Sequence, residues 1–107
     1  MKNAVEEMVQ NGIVAIGDIC NNSLAISVKN DKRLQYFNFI EVSGWNPAVA
    51  SQRLSNSKFL YVAYLRCEKK TSIVPHAAYS VAYPLWENIT PYYSGQIVTI
   101  HNQETTL

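Results

Sequence analysis

Apolar and polar positions run along the chain in two periods, one helical and one of continuous apolar runs. Asn3 to Gln10 sets Val5, Met8 and Val9 on one face with Glu6 and Glu7 opposite, which predicts a short helix, and Asn11-Gly12 supplies its stop. Ile13 to Asp18 follows as an unbroken apolar, β-branched run, the pattern of a strand covered on both faces in a parallel sheet. Asn22 or Ser23 can cap a helix reaching about Lys29, and Arg33 to Ser43, with Leu34, Tyr36, Phe37, Phe39, Ile40 and Val42, reads as a second buried strand ending at Gly44. Asn46-Pro47 offers an N-cap and a proline at the first helical position. Ala48 to about Lys69 is accordingly predicted helical, with Ser55-Asn56-Ser57 a point of interruption. Ser72 to His76 is the third strand, Pro84 to Tyr92 or Tyr93 the last helix, closed by Ser94-Gly95, and Gln96 to His101 the fourth strand.

The resulting order, αβαβαβαβ, predicts an α/β fold with a parallel sheet and right-handed crossovers. No linker or low-complexity stretch divides residues 1–107, so one domain is expected. Four strands are too few to close a barrel. Exposed apolar edges and an uncovered inner face then predict self-association. A flat, doubly wound sheet is the competing architecture.

Composition narrows the partners. A net charge of +1 with 16% charged residues leaves no basic field for nucleic acid or anionic lipid. Glu6 and Glu7 stand where a secretory signal would carry an apolar core, and no apolar run approaches the roughly 18 residues of a membrane span. A cytoplasmic protein is the expectation, and the open edges allow a homo-oligomer. Cys20 and Cys67 lie outside any CxxC or Cys/His pattern and read as reduced thiols, and the sequon Asn88-Ile89-Thr90 reads as incidental.

The two histidines, His76 and His101, each end a short apolar run, and Glu104 follows His101 by three positions. The carboxyl end of a barrel strand is where such an enzyme places a metal ligand, and a nearby glutamate can carry protons. A structural histidine, with Tyr79 packed down and Ser80 capping backbone, is the alternative at the same residues. Glu41, near the end of the second predicted strand, reads as a solvated or hydrogen-bonded carboxylate.

The motif Pro75-His76-Ala77-Ala78-Tyr79-Ser80 followed by Thr99-Ile100-His101-Asn102-Gln103-Glu104-Thr105 resembles the deaminase and chlorohydrolase branch of the amidohydrolase superfamily. Gly12 to Asp18 and Phe39 to Gly44 look like that family's second and third barrel strands, and the two histidine motifs like its fourth and fifth. The resemblance therefore implies a partial (β/α)8 barrel of about four helix-strand units, cut from a metal-dependent hydrolase. It implies that His101 binds a divalent metal, zinc ahead of iron, and that Glu104 passes a proton to a ring nitrogen of the substrate. It further implies that His76 contacts substrate, with Tyr79 and Ser80 shaping the same loop. The family's proline is replaced by Ala78, and its paired first-strand histidines, strand-six histidine and strand-eight aspartate have no counterpart here. The implied reaction is hydrolytic deamination or dechlorination of a substituted heterocycle. A short, non-catalytic α/β binding or assembly protein is the second expectation, and a small flavodoxin-like binding module the third.

Overall fold

A computed structural model describes residues 2–30, 32–67 and 70–103. Helix α1 (Lys2–Gln10) buries Val5 against Leu34 and Tyr36. It ends as the sequence predicts: Gly12 takes φ 78°, its N–H donates to the Val9 carbonyl and that of Ile13 to Met8, each at 3.0 Å. This paired closure satisfies carbonyls that a helix end otherwise leaves open.

Three parallel strands follow, β1 (Ala15–Ile19), β2 (Gln35–Val42) and β3 (Lys70–Pro75), laid side by side in chain order with β2 central. Gly17 pairs with Phe37, and Ile40 with Ile73. Helix α2 (Ala50–Leu65), entered through a 3₁₀ turn at Pro47–Val49, and helix α3 (Tyr83–Ile89) pack on one face, where Ile40, Val42, Ile73, Leu54, Tyr64, Leu85 and Ile89 form the core. Asn46 caps the entry turn by accepting from the Ala48 N–H at 3.0 Å. Ser55-Asn56-Ser57 does not interrupt α2. Ser57 Oγ donates to the Arg53 carbonyl and Gln52 donates to Asn56 Oδ1, so these polar side chains bond along the helix instead of competing with it.

Several expectations are corrected. β1 is not covered on both faces: Val14, just before it, is 70% exposed, and the strand alternates between exposed and half-buried positions. The helices lie over one face only, leaving the other to Ala15, Gly17 and Ile19. The helix expected at 22–29 is a chain of turns ending in a 3₁₀ turn at Val28–Asn30. Asn22 Oδ1 takes the Leu24 N–H into a local turn, and so short a segment is near the limit at which a helix nucleates. Lys29 then enters the core with 2% exposure, pairing with Asp18 and donating to Asn38 Oδ1 at 2.8 Å.

The fourth strand does not form among the described residues. Residues 97–101 run beside β3 and touch it through Ser72 Oγ donating to the Ile97 carbonyl at 2.8 Å and the His101 N–H donating to the His76 carbonyl at 2.9 Å. With one neighbour and Ile97 61% exposed, this segment lacks the cover that would hold a full ladder. The fold is α/β with a three-stranded parallel sheet and shows no barrel. Among the described residues no helix is long and apolar enough to cross a membrane.

Candidate metal centre

In a parallel sheet the carboxyl ends of the strands lie together, and here each delivers a polar side chain to one rim. Asn21 follows β1, Glu41 is the penultimate residue of β2, His76 follows β3, and His101 sits where the last segment bridges Ala77. Donor atoms of Glu41, His76 and His101 all lie within 4.8 Å of one another. The two imidazole rings stand 5.2 Å apart, inclined at 41°.

Glu41 is held from both sides. Its Oε2 accepts from Asn21 Nδ2 at 3.2 Å, and its Oε1 lies 2.9 Å from His101 Nε2. That second approach is at ion-pair distance, and among the described residues no hydrogen-bond donor is aligned on the buried Oε1. The side chain is only 8% exposed, so of the two readings its place near a strand end allowed, solvated or hydrogen-bonded, Glu41 takes the second.

His76 is oriented by the loop that follows it. Gly44, just past β2, donates to the Ser80 carbonyl at 2.7 Å and accepts from the Ala82 N–H at 2.8 Å, pinning residues 76–82 against the sheet. Ser80 Oγ donates to the Ala77 carbonyl at 3.0 Å and accepts from the Ala77 N–H at 3.1 Å. The same hydroxyl lies 3.0 Å from His76 Nδ1, a contact whose donor and acceptor follow the ring's tautomer and which holds the ring in place either way.

The residues singled out from sequence divide accordingly. His76 and His101 come together, Ser80 supports His76 directly, and Tyr79 stands 72% exposed with its ring edge-on to His76 at 6.4 Å. Glu104 lies outside the described residues. Glu41 and Asn21 complete the rim; the sequence signal for Glu41 was a lone carboxylate within the otherwise uncharged run Gln35–Val42. A cleft of about 360 Å³ opens beside the cluster, lined by Asn21, Glu41, Ser43, Arg53, Ser57 and His76 among others. It has the size of a small-molecule site. No protein-family model matches the chain, and no curated protein matches it.

Proposed function

We propose that this chain is the part of a cytoplasmic, metal-dependent amidohydrolase barrel spanning strands two to five, and that the enzyme hydrolyses a C–N or C–Cl bond on a substituted heterocycle. The observation that carries this reading is the convergence of Glu41 near the end of β2, His76 just past β3 and His101 on the segment that bridges Ala77, at the carboxyl-end rim of the parallel sheet, with helices on one face and the other face open. Barrel enzymes place their chemistry at that end.

When bound, the divalent metal, zinc ahead of iron, supplies the Lewis acidity that makes hydroxide available at neutral pH. His101 is its ligand from this chain. Glu104 takes the proton from water and delivers it to the ring nitrogen, so that the amino-bearing carbon gains oxygen and releases ammonia: R–NH2 plus H2O gives R–OH plus NH3. His76, with Tyr79 and Ser80, forms the substrate side of the rim, where Ser80 keeps the His76 ring from turning. The test is ammonia or chloride release by the zinc-loaded protein, expressed in its natural reading frame, from aminopurines, nucleosides and chlorinated triazines. Turnover lost in both His101→Asn and Glu104→Gln is the expected result. Full activity in either variant, or none in the parent, removes this reading.

One observation favours a non-catalytic assembly protein instead. Ile19, Ile97, Val98 and Ile100 are exposed apolar side chains, a surface that association would bury.

A further inference from the structure

We infer that this chain offers a divalent transition-metal ion three ligands of its own, Glu41 and His76 beside His101. The inference rests on the proposed function for the presence of a metal, and it moves His76 from the substrate side to the ion.

Two imidazoles and one carboxylate are the donor set of known three-ligand catalytic zinc sites and of open ferrous sites. A four-coordinate ion with bonds of about 2.0–2.1 Å sets its donors roughly 3.3 Å apart. Here the three donors already lie within 4.8 Å, with Glu41 Oε1 and His101 Nε2 at 2.9 Å. Small rotations reconcile the two sets, and the His101 side chain, 45% exposed, has room to make them.

Two further features point to a ligand and not to a closed ion pair. Among the described residues the buried Glu41 Oε1 accepts no aligned hydrogen bond, although an imidazole nitrogen is beside it. Burying such an atom without a donor is costly, and a cation at the rim removes that cost. His76 Nδ1 contacts Ser80 Oγ at 3.0 Å, the kind of outer-shell contact that holds a metal-binding imidazole in place. Asn21 does the same for Glu41 by donating to Oε2, leaving Oε1 as the ligand atom. The adjoining cleft, lined by Glu41 and His76, gives a fourth position access to a small molecule.

The test is metal binding by the chelator-stripped chain, with Zn(II) followed by calorimetry and Co(II) by visible absorption. One equivalent is expected to bind, with the intense bands of a low-coordinate nitrogen and oxygen site. Glu41→Gln, His76→Gln and His101→Gln should each weaken binding by more than about 100-fold, beyond the loss caused by removing an outer-shell contact, while Ser80→Ala should cost about tenfold. Far-UV circular dichroism checks that each variant is folded. Where a variant unfolds, the ring nitrogens of the wild-type histidines decide by NMR: those of both His76 and His101 must shift on Zn(II) addition. Loss in His101→Gln alone would overturn this ligand set and leave the metal at His101 as first proposed. A folded chain that takes up neither ion, or a sulfur-to-cobalt band abolished by Cys67→Ala, would overturn the set as well. None of these readouts depends on turnover, so a failed deaminase assay leaves them intact.

Discussion

Lys29 shows how one residue decides a neighbourhood. Its ammonium is buried among Asp18, Cys20, Asn38 and the rings of Tyr36 and Tyr64, and Asn38 in turn donates to the Lys70 carbonyl and Thr71 Oγ1. Replacing Asn38 by leucine removes an acceptor from a buried cation and a donor from two oxygens. Asn38→Leu should therefore lower stability by about 2–3 kcal/mol in urea unfolding, and a loss below about 0.5 kcal/mol would show that water replaces the amide. Burial also raises the Cys20 thiol and the Tyr64 and Tyr93 phenols above their ordinary pKa values. The folded chain keeps these protons after the unfolded chain has begun to lose them. Their contribution is full below about pH 8.5 and falls as pH rises through the thiol and phenol range near 8.5–10. Urea midpoints should decline across that window, and less steeply at its lower end in Cys20→Ala.

At the scale of elements, the best-read boundaries are those set by local chemistry. Gly12 is one: its φ of 78° lies where a side chain is strained, although a Cβ added there would meet no atom within 4 Å. Gly12→Ala should cost about 1–2 kcal/mol through backbone conformation alone, measurable as a lowered urea midpoint with unchanged slope. Asn46-Pro47 likewise starts the 3₁₀ turn that leads into α2, because a cap and a fixed φ need no distant partner. The segments 22–29 and 96–101 were harder to read. Each has the residues of its expected element, yet Lys29 is drawn inward and Ile97 is left without cover, and neither fate is written in the segment itself.

The whole molecule has one covered face and one open face. Phe37 and Phe39, with ring centroids 4.9 Å apart, lie on the open side with Gly17, where a Cβ would come within 3.0 Å of the Phe39 ring. Beyond them Ile19, Ile97 and Ile100 are exposed. Association would remove this apolar surface from water, and the expectation is testable. Light scattering should show average mass increasing with concentration, and Ile97→Lys should reduce that increase; mass constant at one protomer would show that the open face is tolerated in water.

The sequence by itself determined the α/β class, the three strands that form, α1, α2, α3 and the two histidines worth watching. Periodicity, caps and turn residues act within a few positions, so those features are legible locally. The tertiary structure decided which sheet face is covered, that residues 97–101 run beside β3 without forming a fourth strand among the described residues, and that Glu41 lies with His76 and His101. Those outcomes depend on parallel register, which brings together side chains 35 and 25 positions apart in the chain. Spacing along the sequence carries no record of that meeting, because the distance between strand ends is set by the sheet and by the helices packed on it.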